Sequence, residues 1–273
     1  MFLVIIFIIV YRPLSADASG QPAFWPDGFV GAVSLTFDDG MPSQLKNAIP
    51  LLNRYGMKAT FYVNPNYRLD WEKNIPEWSR AIDNGHELGN HTDRHTCSCR
   101  HEFSNNLSFC LERIEISDIT RTIDAGRNAM RKNFAGALVD RSFAYPCYET
   151  FVGAGKRRMS YVPEVAKRYL AARAGGGQSN DPLRADLTQL GSYSVDARTF
   201  EQAQEYLERE VTKGRWVVLT FHGVDGDWLS VDLTFLERML QSLHEHRRRI
   251  WVAPLFTIAQ YVKRRRQTYL GSH

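Results

Sequence analysis

Two spacings of hydrophobic residues alternate along this chain. Short apolar runs rich in β-branched and aromatic residues have the pattern of buried strands. They lie at residues 31–37, 59–63, 142–145, 169–173, 190–195, 216–221 and 250–253, with a further short strand expected just before His91. Amphipathic segments with helical spacing lie between or after them, at 44–55, 75–84, 107–132, 200–212 and 233–244. Strands that alternate with helices predict an α/β domain built on a parallel sheet.

Acidic and histidine residues follow several of these strands directly. Asp38 and Asp39 end the first strand, Asp196 ends a later one, and His91 and His222 close two others. The carboxyl ends of parallel strands meet at one edge of the sheet, which is the catalytic face of a β/α barrel. We therefore expect these five residues to lie close together.

The pair His91 and His95, together with Asp39, has the composition of a divalent metal site. A carboxylate and two imidazoles suit zinc or another borderline ion, and a catalytic site leaves one position open. The separation of four residues predicts that the two histidines share one face of a helical turn. The alternative for Asp38-Asp39-Gly40 is an ordinary turn that ends a strand.

The segments TFDD at 36–39 and HTDRH at 91–95 resemble the first two motifs of the NodB-homology polysaccharide deacetylases, carbohydrate esterase family four. The resemblance runs from about Gly31 to about Tyr261. It implies a distorted (β/α) barrel of about seven parallel strands. It also implies that Asp39, His91 and His95 hold one divalent ion, with Zn²⁺ favoured, and that Asp38 is the general base.

The later motifs match the family to different degrees. His222 stands where the family places its general acid. In the altered third motif, at 143–148, the Cys147 N–H takes the place of a donor to the substrate carbonyl, while Ala144 stands where the family has an arginine. Asp38 therefore needs another charge partner, for which Arg173 and Arg141 are the candidates.

The fourth motif is absent, and Asp196 is its nearest counterpart. We expect Asp196 to orient His222 and to raise its pKa, so that the imidazole is protonated when a leaving group needs a proton. The alternative is an aspartate in a surface turn.

The resemblance implies removal of acetyl groups from an acetylated polysaccharide, with a polymer of N-acetylglucosamine favoured and the choice between amide and ester open. Tyr67, Tyr148, Tyr193 and Trp228 are candidates for a sugar-binding groove. Two alternatives remain open. One is a carbohydrate-binding protein that kept the fold and lost the chemistry, and the other is a small-molecule amidohydrolase of the same fold.

The remaining sequence features concern organisation and location. We expect residues 25–265 to form one catalytic domain, and the apolar start predicts a signal peptide at 1–18, with an uncleaved anchor as the alternative. We expect a secreted or cell-envelope protein without stable membrane insertion. The net charge of +4 is mild, so a nucleic-acid partner is not expected. Oligomeric state is left open.

The four cysteines fit an exported protein. Cys97, Cys99 and Cys110 cluster after the histidine motif, and Cys147 carries the N–H that is the proposed oxyanion donor. A bridge from the cluster to Cys147 would connect two loops of the site, although several connectivities are possible.

Overall fold

The computed structural model describes residues 24–67, 70–101, 108–136 and 138–270, so the predicted signal peptide lies outside the described residues. The strands are β1 Gly31–Phe37, β2 Thr60–Val63, β3 Glu87–Asn90, β4 Val139–Ala144, β5 Phe151–Val152, β6 Met159–Ser160, β7 Ala171–Arg173, β8 Tyr193–Ser194, β9 Trp216–Phe221 and β10 Ile250–Val252. The α-helices are α1 Ile49–Arg54, α2 Trp71–Asp83, α3 Ile116–Asn133, α4 Val162–Ala166, α5 Phe200–Thr212, α6 Leu233–Glu245 and α7 Leu255–Leu270.

The main sheet is parallel and curled. Seven strands run in the order β7-β4-β3-β2-β1-β9-β8, and β10 pairs with the first half of β1. Leu190 forms a parallel bridge with Arg173 of β7, while β8, a few residues later, pairs with β9. The segment 190–194 therefore contacts both β7 and β9. The expected distorted barrel of about seven parallel strands is confirmed.

Most elements lie where the hydrophobic pattern predicts them, with β1, β9 and α5 matching residue for residue. The strand expected at 190–195 is shorter, since only Tyr193–Ser194 forms a ladder. A short antiparallel hairpin of β5 and β6 follows β4 and was not expected. No helix in the described part of the chain is long and apolar enough to cross a membrane.

The two faces of the sheet differ in polarity. On the outer face, the buried rings of Phe37, Phe61 and Phe221 stack with centroids 4.9–5.0 Å apart and belong to the largest hydrophobic cluster. Toward the carboxyl ends, the opposite face carries Thr220 and Arg173, both fully buried. This alternation brings polar side chains together inside the barrel just below its mouth.

Candidate active site

A pocket of about 120 Å³ opens where the strands end at their carboxyl side. Asp38 and Asp39 reach it from β1, His91 from β3 and His222 from β9. All seven residues that the sequence predicts for the site line it, so the predicted convergence is present in the structure. The full lining consists of Asp38, Asp39, His91, His95, His101, Cys147, Tyr148, Ser194, Asp196, His222, Trp228 and Leu229.

Three of these side chains have the geometry of metal ligands. Asp39 Oδ1 lies 3.3 Å from His95 Nε2 and 3.6 Å from His91 Nε2, and the three ligand atoms lie within 4.8 Å of one another. Two ligand atoms that bind one zinc ion at about 2.1 Å in a tetrahedral arrangement stand about 3.4 Å apart. The residues present therefore fit a divalent ion.

The surroundings hold the ligands in a form that can bind metal. His91 Nδ1 lies 2.9 Å from the Ala144 carbonyl oxygen, so its proton is used there and Nε2 faces the ion position. Burial lowers the pKa of His91 to about 4, which keeps the ring neutral near pH 7. Burial raises the pKa of Asp39, but the charges of His95 and His91 outweigh it and lower that pKa to about 2.

Two side chains that sequence reasoning did not connect to the metal site bind Asp39. Asn64 donates to Asp39 Oδ1 over 3.1 Å, and the Trp228 indole N–H donates to Oδ2 over 3.3 Å. Asn64 directly follows β2, so its position after a parallel strand could have marked it. Trp228 comes from a loop after β9, and its expected role was sugar packing.

The expected helical turn at His91 and His95 is wrong. Both histidines lie in an irregular loop after β3, in which Thr92 and His95 have left-handed φ values of 62° and 51°. Asn90 Oδ1 accepts from the Thr92 N–H over 2.7 Å, and Thr92 Oγ1 accepts from the His95 N–H over 3.0 Å. These side-chain bonds take the place of helical hydrogen bonds and bend the loop so that both rings face Asp39.

A buried polar network supports this loop from behind. The Asn90 amide also donates to the Tyr169 hydroxyl over 2.7 Å, and that hydroxyl donates to Asp140 over 2.7 Å. Arg131 lies 2.8 Å from the same Asp140 carboxylate. At Gly126 a Cβ atom would stand 2.8 Å from Asn90 Oδ1, so only glycine allows this approach of α3 to the loop.

The missing arginine of the third motif is replaced from the neighbouring strand. Arg173, fully buried, donates through Nη2 to Asp38 Oδ2 over 2.5 Å. Arg173 is the register partner of Ala144, so the charge stands one strand away from its expected position. Arg141, the other candidate, is exposed on β4.

Asp38 is also arranged to receive a proton. Its Oδ1 is buried and has no hydrogen-bond partner in the described part of the chain. Its Oδ2 is bonded to Arg173 and lies 3.8 Å from His222 Nε2. A buried carboxylate oxygen without a donor favours a bound water or substrate group at that point.

His222 and Asp196 form the expected pair. His222 Nδ1 lies 2.9 Å from Asp196 Oδ2, which also accepts from the Ser194 hydroxyl over 2.6 Å. Burial lowers the pKa of His222, but the bond to Asp196 and the negative charges of Asp38 and Asp196 outweigh it, and the pKa rises to about 9. The ring is therefore protonated near neutral pH, with Nε2 directed at the pocket. The alternative of a surface turn is wrong, since Asp196 lines the pocket.

Cys147 lies in a single 3-10 turn, Pro146–Tyr148, with left-handed φ values of 52° at Cys147 and 61° at Tyr148. A disulfide joins Cys147 to Cys97, whose sulfur lies 3.6 Å from His95 Nδ1. The expected bridge between the two loops is therefore present, and it leaves the cysteine sulfurs unavailable as metal ligands. The second disulfide, Cys99–Cys110, closes the cysteine cluster.

Three of the four candidate groove aromatics stand at the mouth. Tyr148 and Trp228 line the pocket, and the Tyr67 ring lies 5.4 Å from that of His95. Tyr193 does not belong to the groove. Its ring stacks on Tyr206 of α5 at 3.9 Å and packs against the main hydrophobic cluster, because it points to the helical side of β8.

Comparison with known proteins agrees with the motifs. Residues 30–147 match the family described as polysaccharide deacetylase. The chitin disaccharide deacetylase of Vibrio alginolyticus is 34% identical over 100 residues, which cover 34% of this chain and 23% of that protein.

Two solved structures share the fold. A Mycobacterium smegmatis protein assigned provisionally to the polysaccharide deacetylases has a TM-score of 0.62 at 16% identity, over 92% of this chain and 96% of that one. A CE4 family pseudoenzyme from Bacillus anthracis has a TM-score of 0.50 at 14% identity, over 84% and 65%. At these identities the likeness establishes architecture, and activity has to be argued from the site.

Proposed function

We propose that this chain is a metal-dependent hydrolase of the polysaccharide deacetylase family, which residues 30–147 match, and that it removes acetyl groups from an acetylated polysaccharide. The observation that carries the proposal is the convergence of Asp39, His91 and His95 beside a buried Asp38 oxygen without a donor. An N-acetylglucosamine polymer is the favoured substrate, because one of the matched relatives is named a chitin disaccharide deacetylase.

Asp39, His91 and His95 would hold the ion, with zinc favoured by the ligand set. When bound, a divalent ion polarises the acetyl carbonyl and makes water acidic enough to react near neutral pH. Asp38 takes the proton from the attacking water through its free Oδ1. Arg173 fixes the orientation of that carboxylate by donating to its Oδ2.

Two residues on the other side of the pocket act on the developing oxyanion and on the leaving group. The Cys147 N–H donates to the oxyanion that develops on the acetyl carbon's oxygen. His222, protonated and oriented by Asp196, gives its Nε2 proton to the sugar nitrogen or oxygen as the bond to the acetyl carbon breaks. Acetate and a free amine or hydroxyl leave the site.

Export from the cell is part of the proposal. Two disulfides use all four cysteines, and such bonds persist in oxidising compartments. We therefore assign the protein to the cell envelope or the extracellular medium, where acetylated polysaccharides occur as polymers.

The test measures bound metal and acetate release together. The purified protein is analysed for metal and incubated with N-acetylglucosamine oligomers, peptidoglycan and acetylated xylan, before and after chelation and re-addition of Zn²⁺. We expect about one ion per chain, acetate release from at least one glycan, loss of release on chelation and recovery with zinc.

Variants separate the roles. His91→Gln should lose both metal and activity, whereas Asp38→Asn should keep the metal and lose most of the rate. His246→Gln is the matched control, since His246 lies at the end of α6, outside the pocket, and contacts the Ser242 carbonyl oxygen. If the protein binds glycans but holds no metal and releases no acetate, it is instead a carbohydrate-binding protein. Bound metal without release from any glycan would indicate a small-molecule amidohydrolase.

A further inference from the structure

The loop between β9 and α6 holds one side chain against the candidate metal site. We call residues 223–231 the Trp228 loop. The Trp228 side chain is 40% exposed at the mouth of the barrel, and its indole N–H donates to Asp39 Oδ2 over 3.3 Å. The motifs that carry the family resemblance do not include this residue.

The two carboxylate oxygens of Asp39 have different surroundings. Oδ1 faces both imidazoles, at 3.3 Å from His95 Nε2 and 3.6 Å from His91 Nε2. Oδ2 is the oxygen that accepts from Trp228. A carboxylate can bind a cation through one oxygen or through both. A donor on Oδ2 therefore favours binding through Oδ1 alone.

The Trp228 loop is bonded to the same chain segment that carries Asp39. Ser43 follows four residues after Asp39, and its N–H donates to Asp227 Oδ2 over 2.8 Å. The Ser43 hydroxyl accepts from the Val224 N–H over 3.1 Å. Because these two bonds fix the loop relative to the end of β1, the backbone itself sets the position of the indole beside the carboxylate.

The backbone of the Trp228 loop is strained on both sides of the tryptophan. Asp225, Asp227 and Leu229 have left-handed φ values of 52°, 64° and 46°. Gly223 has to be glycine, since a Cβ atom there would stand 2.2 Å from the Gly226 carbonyl oxygen. Residues other than glycine in this conformation cost free energy and cluster at functional sites. Their positions indicate that the conformation serves to place Trp228.

We propose that Trp228 is a positioning residue that keeps Asp39 a ligand through one oxygen and so preserves an open coordination position. This inference rests on the metal site of the proposed function and deepens it. A catalytic zinc site has three protein ligands and one position for water or substrate. Binding of Oδ2 as well would fill the position that the attacking water needs beside Asp38. This role differs from the sugar packing that the sequence predicts for Trp228.

The experiment compares the wild type with Trp228→Phe, which removes the N–H donor and keeps an aromatic ring. Metal-free protein is loaded with Co²⁺ as a spectroscopic substitute for Zn²⁺, because the visible absorption of Co²⁺ weakens as its coordination number rises. We expect weaker visible bands in Trp228→Phe. Zinc affinity, measured by competition with a chelator, and kcat at saturating zinc should each fall about tenfold.

Two variants serve as controls. Trp251→Phe makes the same change on β10, outside the pocket. Leu229→Ala tests whether the loop acts by covering the pocket instead, because Leu229 is 38% exposed and lines the same space. Both variants should keep the Co²⁺ spectrum and the zinc affinity of the wild type. Thermal unfolding of the metal-free proteins shows whether all of them fold alike.

The inference is overturned if bound Co²⁺ has the same spectrum in Trp228→Phe as in the wild type, or if Leu229→Ala reproduces the loss of zinc affinity. A wild type that binds no ion would defeat the proposed function and this inference together. A wild type that binds Zn²⁺ but releases no acetate would defeat the proposed reaction alone, because the metal data would still decide the role of Trp228.

Discussion

The pairing of His222 with Asp196 predicts how the pKa of the His222 imidazole responds when the Asp196 charge is removed. Asp196→Asn removes the negative charge 2.9 Å from His222 Nδ1 while keeping a side chain of the same shape. The pKa of His222 stands at about 9 against an ordinary value of 6.5. That difference corresponds to roughly 3 kcal/mol in favour of the charged ring, shared between Asp196 and Asp38. Because burial opposes the charge, losing Asp196 should lower the pKa by about 1–2 units.

Nuclear magnetic resonance of the imidazole nitrogens in metal-free protein measures this pKa directly. On the zinc-loaded enzyme, the basic limb of the pH profile of kcat/KM should move to lower pH in Asp196→Asn, because the leaving group loses its proton donor sooner. Activity near pH 8 should then fall about two- to tenfold.

The raised pKa of His222 also predicts how the free energy of unfolding depends on pH. A pKa that is raised in the folded state stabilises the fold fully below pH 6.5, and this contribution is lost as the pH rises through about 9. Urea unfolding of the metal-free proteins should therefore show the largest difference between wild type and Asp196→Asn near pH 6 and a smaller one above pH 9.

Ser194→Ala is the control, since it removes a hydroxyl bonded to the same Asp196 oxygen but leaves the carboxylate charge. Its imidazole pKa should stay close to that of the wild type. If Asp196→Asn titrates His222 like the wild type and leaves the basic limb in place, the charge argument is refuted.

Three further predictions concern the supports of the site. Arg173→Met leaves Asp38 buried without its cation and should lower the free energy of unfolding by about 3–5 kcal/mol, measured in urea, together with kcat. Cys97→Ser combined with Cys147→Ser opens a loop with a sequence separation of 50, which should cost about 4 kcal/mol and lower Tm. Tyr169→Phe breaks the network behind the histidine loop and should weaken zinc binding about tenfold by calorimetry.

Each of these has a comparison variant. Arg141→Met, at the exposed position, should change stability by less than about 0.5 kcal/mol. Replacing Cys99 and Cys110 by serine opens a separation of only 11 and should cost less, about 3 kcal/mol. Tyr161→Phe removes a buried hydroxyl bond that does not reach the histidine loop, so zinc affinity should be unchanged. Equal effects within any pair would contradict the reasoning.

The chain pattern predicted the parallel sheet and the positions of the central site residues well. Strand ends carry directional information, because every parallel strand delivers its last side chain to the same edge. This is why Asp38, Asp39, His91 and His222 could be placed together before their geometry was known.

The sequence was a poorer guide to local backbone geometry and to contacts between side chains of neighbouring elements. The spacing of His91 and His95 matched a helix, but the loop is shaped by Asn90 and Thr92 side chains that compete with helical hydrogen bonds. The sequence predicted Tyr193 to line the groove, but its ring lies on the other face of the sheet. A strand of only two residues is too short for its sequence to indicate which face a side chain occupies. Asn64 was not found because a single amide after a strand resembles an ordinary turn residue.

The position of Arg173, just below the mouth of the barrel, matters when such pockets are compared between related sequences. Register partners on adjacent parallel strands project into the same space, so either strand can deliver a guanidinium to one carboxylate. During evolution a chain can carry an arginine on both strands and later lose one of them, and the carboxylate keeps a paired cation throughout. Comparisons that follow a single strand will count such a change as a loss, whereas superposition of the pockets will reveal a substitution between neighbours.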